Sequence, residues 1–145
     1  MFANTLPLLV LGTAAFYGFP RAAALALGMI WIGSGLGVWL TGRESYHIGA
    51  SGLTHGLMFF TFTMGLLRRD RLSMALAMVV FFLYGGMVWG IFPRQPNISF
   101  EYHFWGAVVG LACAFVVYRL DPLPPPRRYG WEEDTEASGS GDDEW

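Results

Sequence analysis

The stretch Gly49-Ala50-Ser51-Gly52-Leu53-Thr54-His55-Gly56-Leu57-Met58-Phe59-Phe60-Thr61-Phe62-Thr63-Met64-Gly65-Leu66-Leu67 contains no Asp, Glu, Lys or Arg and stops at Arg68-Arg69-Asp70-Arg71. A hydrocarbon core about 30 Å thick takes about 20 residues of predominantly apolar helix. Residues 49–67 have that length and end on charges suited to an interface. Reading outward, four more runs have the same character: about 5–19, which is short, about 22–40, about 73–92 and about 103–119. The links are brief: Phe19-Pro20-Arg21, then 41–48, then Arg68 to Arg71, then 93–101, where Pro93, Pro96 and Asn97 favour turns. Brief links make neighbouring helices antiparallel. The expected fold is all-α, a polytopic membrane helix bundle of about five transmembrane helices.

Composition points the same way. Of 145 residues, 54% are apolar and 14% charged, against about 25% charged in an average soluble domain; mean hydropathy is +0.41. Residues 1–118 carry six Arg and three acids, and residues 119–145 carry three Arg and eight acids, so a +3 body precedes a −5 tail. Such a body lacks the charged surface of a cytosolic enzyme, and no dense basic patch fits a nucleic acid. A single cysteine, Cys113, lies in an apolar run and excludes a disulfide scaffold or a cysteine-ligated zinc site. Residues 1–120 are expected to form the membrane domain. Residues 121–145 are expected to leave it stiffly through Pro122-Leu123-Pro124-Pro125-Pro126 and continue as an acidic, disordered tail.

Arginine placement sets the orientation. With the Arg68–Arg71 link in the cytoplasm, Arg21, Arg68, Arg69, Arg71, Arg119, Arg127 and Arg128 lie inside, and only Arg43 and Arg94 lie outside. The tail is then cytoplasmic, and five crossings put the N-terminus outside. Met1 begins almost within the first run, without a basic n-region, so a signal peptide is a poor reading and a preceding helix is expected to be missing.

Polar groups inside a bilayer are expensive and mark candidate sites. Ser51 lies between glycines at a helix start. There a substrate can approach closely, and free backbone N–H groups can stabilise developing negative charge. The same motif also reads as a serine N-cap beside packing glycines. His103, Gly106 and Gly110 share one face of the fifth run, and Gly106, Gly110 and Ala114 form a stripe of small residues. Gly52 and Gly56 form the corresponding stripe on the third. Two such faces would bring His103 within hydrogen-bond reach of Ser51, as general base to a serine nucleophile; the bland alternative is an interfacial histidine. His55, one turn after Ser51, reads as a packing or supporting group, with a smaller claim as the base. Asn4 reads as a helix cap or as an amide donor to an oxyanion. Trp31, Trp39, Phe59, Phe60, Phe81, Phe82 and Trp89 read as lipid-facing or interfacial, and His47 as solvated. Glu44, Asp70 and Glu101 fall in links, which leaves a transporter without an intramembrane charge carrier.

Gly49-Ala50-Ser51-Gly52, followed two helices later by His103-Phe104-Trp105-Gly106-Ala107-Val108-Val109-Gly110, resembles the rhomboid family of intramembrane serine proteases. Tyr46-His47-Ile48-Gly49-Ala50-Ser51-Gly52-Leu53 is similar to a bacterial branch of it. The resemblance spans roughly residues 4–119 and implies that the five runs match the second to sixth of the family's six core helices. It further implies Ser51 as nucleophile, His103 as general base, and the Ser51 N–H beside Gly49 as part of the oxyanion hole.

The family's second helix usually carries His-x-x-x-Asn; Asn4 matches the Asn, and the His would fall just before Met1. The family's first helix and the loop after it are not in the sequence. A truncated start is expected ahead of a shortened, weakened relative. Four residues past the serine the family commonly has Tyr packed on the catalytic histidine, where this chain has His55. The expected function is cleavage of transmembrane helices of other proteins, in the cell membrane, with no metal or organic cofactor. The alternative is a non-catalytic rhomboid-like protein that binds membrane helices.

Overall fold

The computed structural model describes residues 2–43, 49–93 and 99–123. Its elements are α1 (Phe2–Gly18), α2 (Pro20–Thr41), α3 (Ser51–Arg68), α4 (Arg71–Tyr84), a 3₁₀ segment (Gly85–Ile91) and α5 (Phe100–Val117). Among the described residues there is no strand. The protein is an all-α membrane helix bundle. The stretches Pro20–Thr41, Arg71–Ile91 and Phe100–Val117 are each long and apolar enough to cross a bilayer. α1 is shorter, and α3 is more polar because it carries Thr54, His55, Thr61 and Thr63 in its buried face.

α3 is the central helix. Most of its length is buried, from Gly52 to Gly65, and it packs most intimately on α5. A methyl group on Gly106 would collide with the Gly52 carbonyl, and one on Gly110 with the Gly56 carbonyl. Glycine at these positions lets two backbones touch, the arrangement that holds helices together where lipid offers no hydrophobic driving force. α2 closes on α5 in a different way, with Gly33 against Val109 and Gly37 against the Trp105 ring. The outer faces are apolar: Trp31, Trp39, Phe82 and Val116 are all well exposed. Such a surface suits lipid rather than water. Between α1 and α2 lies an apolar cleft of about 600 Å³, floored by Leu53 and Leu57 of α3.

At the end opposite Ser51, the chain is tied by polar contacts. The N-terminus of α2 has Pro20 in its first turn and is capped from afar, the Arg21 and Ala22 N–H groups donating to the Asp121 carboxylate at 3.0 and 2.9 Å. Orphan N–H groups and the helix dipole both favour an anion there. Arg68 is almost fully enclosed; it donates to the Asp121 and Pro122 carbonyls, each at 3.1 Å, and lies over the Phe19 ring.

Asp70 caps α4, accepting from the Ser73 N–H at 3.1 Å and the Ser73 hydroxyl at 2.5 Å. Burial pushes the Asp70 carboxyl up, but the Ser73 hydroxyl and N–H, with Arg68, outweigh it and hold it below its ordinary 3.8. Its contribution is therefore present above that value and lost as pH falls through the lower folded value. Asp70→Ala is expected to cost about 1 kcal/mol, as caps do. Thermal unfolding in detergent near neutral pH checks the loss, and the gap from wild type should close in acid.

Several expectations need correction. The fourth run is not one helix over 73–92: α4 ends at Tyr84, and Gly85-Gly86 opens a 3₁₀ turn. Asn4 lies inside α1 rather than ahead of it, because α1 starts at Phe2 and continues through Pro7, which forgoes one i→i−4 hydrogen bond. α5 starts at Phe100, so Glu101 is in a helix rather than a link; it is buried and paired with Arg43. Phe60 faces no lipid: it is fully buried, edge-on to Phe19 at 6.2 Å. His47, Glu44, Arg94 and the tail from residue 124 lie outside the described residues.

Candidate functional site

The start of α3 is built on a backbone turn that only glycine adopts readily: Gly49 has φ of +142°. Ala50 is the N-cap and has no side-chain cap bond, so Ser51 is the first helical residue and its hydroxyl is not the cap. The first N–H groups of α3 have no intrahelical partner, by the geometry of any helix start. Asn4 Nδ2 lies 3.7 Å from where a β-carbon on Gly49 would sit, which brings the α1 amide to the same turn.

α5 presents His103 to this turn. Gly106 abuts the Gly52 carbonyl, and the Tyr102 ring lies against Gly52. One residue beyond Tyr102, the His103 ring stacks on His55, with centroids 4.0 Å apart and planes inclined by 7°. His55 Nδ1 lies 2.8 Å from the Ser51 carbonyl oxygen. Ser51, His55 and His103 thus form one group at one end of the bundle. Among the described residues no hydrogen bond joins the Ser51 hydroxyl to His103.

The tautomer of His103 follows from its partner. Nδ1 lies 2.9 Å from the Gly90 carbonyl oxygen. A carbonyl only accepts, so Nδ1–H donates, and neutral His103 keeps its lone pair on Nε2. That nitrogen is the one free to take a proton from a hydroxyl. Gly90 belongs to the 3₁₀ segment and touches both imidazoles: a β-carbon there would lie 2.9 Å from His55 Nε2 and 3.2 Å from His103 Nδ1. Only a residue without a side chain fits above the stacked pair. Sequence reasoning missed Gly90, and its one signal was a third glycine in a run that already contained Gly85 and Gly86.

The rim is held by charge and aromatic contacts. Arg43 pairs with Glu101 at 2.5 Å and lies over the Phe100 ring at 5.1 Å. The Trp105 indole N–H donates to the Thr41 hydroxyl at 2.8 Å. These tie the end of α2 to the first turns of α5 and fix the depth of His103. Among the described residues no group of three or more His, Cys, Asp or Glu side chains converges to hold a metal ion.

Comparison with known proteins matches the Rhomboid domain model to residues 1–120. An uncharacterized protein of Mycobacterium bovis and one of Mycobacterium tuberculosis are each 36% identical over 126 residues, covering 81% of this chain and 52% of theirs. An uncharacterized protein of Mycobacterium leprae is 36% identical over 125 residues, covering 79% of this chain and 49% of its own. The chain spans about half the length of these relatives, and no solved structure matches it. With the domain model covering most of the chain and the glycine-packed helix pair between Ser51 and His103 in place, this protein belongs to the rhomboid family.

Proposed function

We propose that the chain carries an intramembrane serine endopeptidase site that cleaves transmembrane helices of other proteins near their outer membrane boundary. Ser51 Oγ attacks the scissile carbonyl carbon while its proton passes to His103 Nε2. The oxyanion is stabilised by the free N–H groups of α3 and by Asn4 Nδ2. Collapse breaks the C–N bond, His103 returns the proton to the leaving amine, and water then releases the acyl group from Ser51 by the same steps. The observation that carries this reading is the Gly90 carbonyl on His103 Nδ1, which keeps Nε2 the basic nitrogen of a ring that stacks on His55, one turn from Ser51. The arginine distribution supports a multi-pass protein of the cell membrane with the Arg68 end and the C-terminal tail in the cytoplasm.

The second reading is a rhomboid-like binder of membrane helices that does not cut them, and the apolar cleft between α1 and α2 favours it. A fluorophosphonate probe separates the two. The full chain in lipid nanodiscs is expected to be labelled, and Ser51→Ala to lose the label. Label retained in Ser51→Ala would remove the nucleophile. A folded wild type that stays unlabelled would leave the binder.

A further inference from the structure

His55 is enclosed, and it has more acceptors than a neutral imidazole can use. Its Nδ1 lies 2.8 Å from the Ser51 carbonyl oxygen, and its Nε2 lies 3.2 Å from the Met87 carbonyl oxygen. Both partners are backbone carbonyls, which only accept. A neutral ring has one N–H, so one of the two contacts must set a lone pair against a carbonyl oxygen. An imidazolium has two N–H groups and satisfies both. The Ser51 contact is the shorter and lies within one turn of α3, so it keeps the single proton of the neutral ring. The Met87 contact is the longer. It joins α3 to the 3₁₀ segment, and it becomes a hydrogen bond when a second proton arrives.

We propose that His55 is a proton-operated clasp: on protonation it donates to the Ser51 and Met87 carbonyls together and fastens the segment Gly85–Ile91 across the stacked imidazoles. Burial and the stacked His103 ring oppose charge on His55, and the two facing carbonyls work in its favour. His103 of α5 is the ionisable side chain stacked against His55, and two cations at a centroid distance of 4.0 Å repel, so the pair takes one proton first. On His55 both N–H groups then face carbonyl oxygens; on His103 the Gly90 carbonyl serves Nδ1 alone. The 3₁₀ segment, GGMVWGI, has no ionisable side chain. On α5, Glu101 is engaged with Arg43. Ser51 and Thr54 of α3 and Asn4 of α1 carry no charge. Gly90 rests directly on both rings, so fastening Met87 also fixes the carbonyl that orients His103. His55 is thereby a positioning residue for His103. The clasp rests on the donor count at His55 and its stack on His103, and its effect on catalysis rests on the endopeptidase reading.

Amide hydrogen exchange of residues 85–91 tests it, measured by mass spectrometry on the full chain in nanodiscs from pH 4 to 8 and normalised to intrinsic exchange rates. Charge-assisted bonds are about twice as strong as neutral ones, so wild type is expected to gain about tenfold protection in this segment as pH falls. The gain should follow the titration of the His55 ring read by nitrogen-15 NMR. His55→Phe preserves the stack but has no N–H, and its segment is expected to show no pH step; His55→Tyr serves the same purpose should the Phe variant fail to fold. Protection that does not change with pH in wild type would overturn the clasp, as would an equal step in His55→Phe, which would belong to His103. Fluorophosphonate labelling in the same samples keeps the two readings apart. A pH step in protection without any labelling refutes the endopeptidase and supports the clasp. Labelling without the step does the reverse.

Discussion

Gly106→Ala is expected to destabilise the bundle by about 3 kcal/mol or more, and Gly110→Ala by a similar amount. Overpacking a core usually costs about 1–3 kcal/mol, because side chains can rotate away. Here the obstacle is backbone: the new methyl groups meet the Gly52 and Gly56 carbonyls of α3. Neither carbonyl can move without breaking its own helix, so α5 must back away and its contact with the central helix opens. Gly12 and Gly28 supply the control, since a methyl group at either has nothing within 4 Å. Gly12→Ala and Gly28→Ala are expected to be neutral or to stabilise by about 0.5–1 kcal/mol, as alanine does in place of glycine in a helix. Unfolding in detergent, followed by circular dichroism or steric trapping, reads all four. Gly106→Ala within about 0.5 kcal/mol of wild type would mean that α3 and α5 do not touch at this point.

The same glycines show what the sequence could carry. Gly52 and Gly56, and Gly106 and Gly110, repeat at the one-turn spacing that smooths a helix face. That pattern is readable because in lipid the small residue marks the contact. Phe60 shows where reading fails. The buried face of α3 is the one that carries Thr54, His55, Thr61 and Thr63, so assigning an aromatic to lipid because it is apolar puts Phe60 on the wrong side of its helix.

Backbone acceptors are silent for a different reason. The Gly90 carbonyl that orients His103 and the Met87 carbonyl opposite His55 exist at every residue, and only the turn from α4 into the 3₁₀ segment brings them to the rings. The change from α-helix to 3₁₀ falls at Gly85-Gly86, inside a run whose apolar composition continues unbroken to Phe92. Asp121 reads as the first residue of an acidic tail. Its capping of α2 depends on a contact 99 residues away, from the Ala22 N–H, that no local pattern encodes.

His103→Ala is expected to lower cleavage of a transmembrane substrate by on the order of 10⁴-fold, close to the loss in Ser51→Ala. The two side chains act on a single proton. Removing either leaves the other without a partner, and groups that work as a unit show strongly non-additive losses. The double variant Ser51→Ala/His103→Ala should therefore be about as slow as either single one, not slower by the product of the two. A ring that merely packed would behave differently. Its loss would loosen the stack on His55 and lower stability, but it would leave hydroxyl reactivity within about tenfold and add to the serine defect. His103→Phe sharpens the distinction, because it retains an aromatic face for His55 at 4.0 Å and removes Nε2. Turnover of a fluorogenic helix substrate, measured with thermal stability on each variant, decides the matter: activity retained in His103→Phe would assign the proton to another group, and His55 would be the first candidate.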